Sequence, residues 1–102
     1  MNFYRKKNRI VASFGEKELN ELPSEILKNL NSLLPIEKGK ELRISIAENK
    51  DMKMEIFSVI AAFSTKLLLE GTSVELRAQS ELAQCLNILN LNDCFTAITS
   101  GD

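Results

Sequence analysis

The charged run Glu48-Asn49-Lys50-Asp51-Met52-Lys53, leading straight into Met54-Glu55-Ile56-Phe57-Ser58, holds the residues best placed to do chemistry. A polar turn that opens a helix is where an α/β fold commonly keeps its reacting groups. Asp51 and Glu55 lie close together, and a general acid–base pair is the reaction they would suggest. Such a pair needs surroundings that move its pKa values, and nothing in the sequence supplies them, so the plainer reading is a solvated turn.

Other chemistries fare no better. The chain has no histidine. That removes the commonest general base, the usual activator of a Ser or Cys nucleophile and most transition-metal sites. The two cysteines, Cys85 and Cys94, make no disulfide framework and have no partner ligands for zinc. Cys85 falls on a helical apolar stripe and reads as a small buried hydrophobe. Neither a G-x-x-x-x-G-K-S/T nor a G-x-G-x-x-G segment occurs, and four glycines build no familiar phosphate cradle. No catalytic residue, metal ligand or cofactor is assigned, and the chain is expected not to be an enzyme.

The elements that must position this turn follow from hydrophobic spacing. Phe3-Tyr4 and Ile10 to Phe14 read as two arms of a hairpin around Lys6-Lys7-Asn8. Leu19, Leu22, Ile26, Leu30, Leu33 and Leu34 recur at helical spacing, which predicts a helix from about Asn20 or Glu21, closed by Pro35. Leu42, Ile44 and Ile46 alternate as in a strand. Ile56, Val59, Ile60, Phe63, Leu67 and Leu68 predict a second amphipathic helix with Gly71 as its C′ residue. Ile56, Ile60, Phe63 and Leu67 are expected in the core, while Met54, Phe57 and Ser58 fall on the start and outward flank. Ser73 to Ala78 reads as a strand, and Ser80 as the cap of a third helix carrying Leu82, Cys85, Leu86 and Leu89. That helix stops at Asn90, a residue type that tolerates the left-handed conformation. Cys94 to Thr99 reads as the last strand.

The order is β-β-α-β-α-β-α-β, a single α/β domain over residues 1–102. Strands alternating with helices predict a mostly parallel sheet with an antiparallel N-terminal edge and helices packed on it. Of 102 residues, 44% are hydrophobic and 26% charged, ordinary for a globular protein. A net charge of −1 gives no general attraction to nucleic acid, and the cluster Arg5-Lys6-Lys7-Asn8-Arg9 reads as a solvated hairpin turn. No segment approaches the ~20 apolar residues of a membrane span. The N-terminus lacks the apolar core of a signal peptide, so a cytoplasmic setting is expected.

From Leu42 to Ile98 the pattern resembles the STAS domain, the fold of anti-sigma-factor antagonists and of the cytoplasmic tails of sulfate transporters. The family runs strand, turn, D-S-S/T-G, apolar helix, turn, strand, short helix and final strand. The stretch "LRISIAENKDMKMEIFSVIAAFSTKLLLEGTSVELRAQSELAQCLNILNLNDCFTAI" follows that order, with "LNILNLNDCF" on the closing helix and turn and Asn90 at the family's glycine. The resemblance puts the phosphoacceptor motif on Lys53-Met54-Glu55-Ile56, where none of its four residues is kept, and the acceptor itself on Glu55. Ser58, one turn on, is the nearest hydroxyl to that site, and Ser45 replaces the acid common in the preceding strand. Two readings of Glu55 follow. It is either a permanent negative charge at a helix N-terminus, favoured by ~0.3–1 kcal/mol, or an ordinary helix-start residue beside a different interface, the reading preferred here.

The resemblance implies a STAS-type regulator in bacterial signalling and transcription regulation, which binds a protein partner without chemistry. Its partner would be an anti-sigma kinase-like regulator. The alternative is a STAS subunit of an ABC-type lipid-transport complex that supports the ATPase subunit. The implied interface is Asp51, Lys53, Met54, Glu55, Ile56, Phe57 and Ser58. No nucleic acid and no membrane insertion are expected, and a homodimer stays open.

Overall fold

A computed structural model describes residues 1–15, 17–47, 54–88 and 90–100. Strand β1 (Asn2–Arg5) and strand β2 (Arg9–Phe14) form the antiparallel hairpin, with Lys7 and Asn8 at its tip inside a Lys6 N–H to Arg9 carbonyl bond of 2.7 Å. Helix α1 (Pro23–Asn31), strand β3 (Glu41–Ile46), helix α2 (Met54–Leu69), strand β4 (Val74–Ala78), helix α3 (Ser80–Ile88) and strand β5 (Ala97–Ser100) follow. The five strands lie in the order β1-β2-β3-β4-β5; β2 to β5 pair in parallel.

A parallel crossover is right-handed in nearly all proteins. Because each crossover here moves one strand in the same direction, all three helices fall on one face of the sheet. Burial agrees. Ile10, Ala12 and Phe14, Leu42, Ile44 and Ile46, and Val74, Leu76 and Ala78 point to that face and join one core with Ile26, Leu30, Ile56, Ile60, Phe63, Leu67 and Leu86. In β3 every second residue is buried, the period that strand geometry demands. The other face carries Tyr4, Arg9, Val11, Ser13, Glu41, Arg43, Ser45, Glu75 and Arg77 and, among the described residues, has no helix over it. There Arg9 Nε donates to Glu41 at 2.8 Å, and Arg43 Nη2 donates to Glu75 at 3.1 Å. The hydrogen bond to Glu41, foremost, raises the Arg9 pKa.

Three expectations need correction. Helix α1 begins at Pro23, with a separate 3-10 turn over Glu18–Asn20. A residue before proline is driven out of the helical region; Leu22 accordingly sits at ψ 146° as the N-cap and is exposed rather than on the core stripe. Cys94 and Phe95 precede the last strand: Asn92–Cys94 is a 3-10 turn, and the strand starts only at Ala97. Ser80 is not the N-cap of α3, because the first helical bond, from the Ala83 N–H, is accepted by the Gln79 carbonyl. The side chains of Leu82, Cys85 and Leu89 lie outside the described residues.

The stops of α2 and α3 share one geometry. At Gly71 (φ +89°) the Thr72 N–H bonds the Leu67 carbonyl and the Gly71 N–H that of Leu68. At Asn90 (φ +58°) Leu91 bonds Leu86 and Asn90 bonds Asn87 in the same way. Both are Schellman caps, which need a left-handed residue at C′. Glycine meets that need without Cβ strain, so Asn90→Gly is expected to raise stability by up to about 1 kcal/mol, read as a higher urea midpoint at unchanged m. Asn90→Val should lower it by ~1–2 kcal/mol; equal midpoints for the two would refute the assignment.

Candidate interaction surface

Helix α2 positions the described part of the sequence-expected site. Met54 and Glu55 are exposed in its first turn, and Ser58 is exposed one turn on. Glu55 thus meets the orphan N–H groups and positive end of the helix dipole. Ile56 is buried, as its stripe requires. Phe57 departs from expectation: it is 7% exposed and belongs to the core, not to the outward flank. Asp51, Lys53 and the turn that carries them lie outside the described residues.

The burial of Phe57 has a simple cause. Alongside the row Ile56, Ile60, Phe63 and Leu67, a second row of Phe57, Ala61 and Ser64 is also buried. A helix under two layers of neighbours buries an arc wider than one apolar stripe. Ala61 and Ser64 carry little hydrophobic signal, so the sequence showed the first row and hid the second. What remains outside is Glu55 and a strip from Met54 through Ser58, Ala62 and Lys66 to Leu69.

Along that strip the surface is concave and apolar. A cleft of about 510 Å³ runs between the outward side of α2 and the segment Leu91 to Cys94. Ser58, Ala61, Ala62 and Thr65 give it a floor of small side chains. The Thr65 hydroxyl donates to the Ala61 carbonyl at 2.9 Å, which spends its polarity inside the helix. Leu69 stands at one end, 84% exposed, and the Cys94 thiol is free and half-buried at the wall. Small residues on a helix let a partner's backbone come close, and an exposed leucine beside them costs free energy until it is covered.

A second, polar cleft of about 460 Å³ lies at the C-terminal ends of β2, β3 and β4, lined among others by Ser13, Ser45, Arg77 and Gln79. Open α/β sheets generally place ligands at that edge. Arg77 is exposed there and has no ion-pair partner among the described residues. Among the described residues, no three of His, Cys, Asp and Glu come together in a metal-binding group. No helix among them is long and apolar enough to cross a membrane.

No family model, curated protein or solved structure matches this chain. The reading of its function therefore rests on the surfaces themselves. Of these clefts, the one on α2 is lined by one residue singled out by sequence, Ser58, one turn from Met54 and Glu55. Sequence reasoning missed its far end. The available signal was Leu69, an apolar residue that falls off the core stripe of its helix.

Proposed function

We propose that this chain is a non-enzymatic protein-interaction domain of the STAS type, a regulator resembling anti-sigma-factor antagonists in which Glu55 stands in place of the phosphorylatable residue. The observation that carries the reading is the apolar cleft along α2, whose near end is Ser58, one turn into the helix whose start the resemblance makes the partner interface. In support, strand β3 and helix α2 belong to a five-stranded mixed sheet with helices on one face. In this proposal the interface is Met54, Glu55 and Ser58, extended by Ala62 and Leu69. Phe57 and Ile56 support it from below by holding the helix on the sheet. Glu55 acts as a helix-start residue, since one carboxylate charge reproduces only part of a phosphate's nearly two.

The test is capture of partners from the native cell with the wild-type chain and with Ala62→Arg. Ala62 is exposed and arginine is a good helix former, so the fold should lose no more than about 0.5 kcal/mol. A long charged side chain in the middle of an apolar contact should weaken capture by about 100-fold or more. Undiminished capture by Ala62→Arg would refute the cleft as the interface. Recovery of an anti-sigma kinase supports the regulator. Recovery of an ATPase with its permease would instead assign the chain to a lipid-transport complex, as the subunit that props up the ATPase. Stoichiometric labelling of Ser58 by such a kinase with ATP would overturn the loss of the phosphoacceptor.

A further inference from the structure

We propose a second docking site on the opposite side of the molecule: the outer edge of β1 takes an extended, acidic segment of a protein partner as a sixth strand. Among the described residues β1 pairs with β2 alone, and all four of its residues are exposed. Hydrogen-bonded pairs alternate along an antiparallel ladder. The Lys6 N–H to Arg9 carbonyl bond fixes the phase, so Asn2 and Tyr4 turn their backbone groups to β2. Phe3 and Arg5 turn theirs outward, two N–H and two C=O groups in register for another strand.

The side chains on this edge are unusual for one that is merely kept from sticking. Phe3 is 46% exposed and Tyr4 52%. Phe3 pairs with Ala12 on the helix face and Tyr4 with Val11 on the open face, so each face of the edge carries one aromatic. Each has a cation over its ring, Arg5 at 5.7 Å from Phe3 and Lys6 at 5.5 Å from Tyr4. Charged side chains alone would protect an edge from aggregation. Two exposed aromatics would undo that protection, whereas they suit an incoming strand whose side chains must lie against β1 on both faces.

Charge says what kind of strand fits. Residues 1–14 contain Arg5, Lys6, Lys7 and Arg9 and no acid; Arg9 is held by Glu41, which leaves Arg5, Lys6 and Lys7 as the cations offered at this edge. A second copy pairing through the same edge would bring these cations together, which argues against self-association. Base stacking by a nucleic acid has less ring surface to use, because Arg5 and Lys6 each lie over one face of a ring. An acidic peptide needs neither ring face. It meets the cations by direct attraction and the backbone by hydrogen bonds.

The probe is a capped peptide of about eight residues alternating valine and glutamate, compared with its lysine counterpart and with a version N-methylated on the edge-facing amides. Tyr4 is the only tyrosine and the chain has no tryptophan, so intrinsic fluorescence reports on β1 directly. The glutamate peptide should bind at least about tenfold more tightly than either comparison peptide, a difference of ~1.4 kcal/mol. It should also slow amide exchange at Phe3 and Arg5 about tenfold or more. Phe3→Pro removes an outward N–H, which an edge strand tolerates, and should abolish binding while Ala62→Arg leaves it intact. Equal binding of the three peptides, unchanged exchange at Phe3 and Arg5, no binding at all, or tighter binding of a single-stranded oligonucleotide would each overturn the proposal. The comparison peptides act on the wild-type chain, so the test stands even where Phe3→Pro does not fold.

Discussion

Ile44→Ala is expected to cost about 3–4 kcal/mol, in the middle of the range for removing three buried methyl and methylene carbons. Ile44 is completely buried at the middle of the central strand. Its neighbours in register are Ala12 on β2 and Leu76 on β4. The size of the loss depends on whether the site can collapse into the space vacated. Ala12 has no side chain that can swing into it, and the sheet backbone on both sides is fixed by parallel pairing. The void therefore stays, and its cost adds to the lost transfer free energy. For a domain with a total stability of ~5–15 kcal/mol this is a large fraction. The urea midpoint should fall with m unchanged, and Tm should drop by more than about 10 °C. A loss below about 1 kcal/mol would mean that the core does not close over Ile44 as described.

That same strand shows where the sequence is legible and where it is not. Leu42, Ile44 and Ile46 alternate, and alternation reports directly which face a half-buried strand covers. In β2 the run Ile10, Val11 and Ala12 is buried throughout, so its faces become clear only from its register with Leu42, Arg43 and Ile44. Val11 lies on the open face, in register with Tyr4 and Arg43, whose side chains sequence could not place beside it. The stops at Gly71 and Asn90 were readable because a left-handed backbone selects residue types. Cys94 and Phe95 misled because their β propensity is real, but the Cys94 N–H is already committed to the Leu91 carbonyl and Phe95 to the core. Tertiary context overrides propensity in such short runs.

The candidate surface was half readable for the same reason. Met54, Glu55 and Ser58 stand out as the first exposed turn of a helix whose core stripe is plain. The cleft further along requires two facts that no local pattern holds. One is that Phe57, Ala61 and Ser64 are covered as a second row, which leaves Ala62 as the exposed floor. The other is that Leu91 to Cys94, far along the chain, forms the opposite wall. An edge strand is different again. The basic cluster near the N-terminus is plain in the sequence, but its meaning depends on β1 lying at the edge, where Phe3 and Arg5 turn unpaired backbone groups to solvent.

Glu75→Ala is expected to cost about 1.5–2 kcal/mol, more than any other ion-pair deletion on the open face. Two pairs compete for that rank. Arg9 and Glu41 have side chains 32% and 38% exposed, and such a pair is worth ~0–1 kcal/mol once solvent screening and side-chain entropy are counted. Arg43 and Glu75 are 23% and 19% exposed, under the cover of adjacent strands. Glu75 also accepts from the Thr99 hydroxyl at 3.2 Å, so its carboxylate ties β3 to β4 and β4 to β5. Arg43 Nε is buried with no partner among the described residues. Removing the carboxylate would leave the guanidinium unpaired at Nη2 as well, and an unpaired buried donor costs more than its bond contributed. Arg43→Met should be milder, at ~0.5–1 kcal/mol, because Glu75 keeps Thr99 and methionine fills the space of the stem. The decisive measurement is the double variant Arg43→Met with Glu75→Ala. Its loss should be at least about 1 kcal/mol smaller than the sum of the single losses, because the cost of the first change is the stranded arginine that the second removes. Additive losses would show that the pair is a surface contact and that the open face is held by the sheet ladder alone.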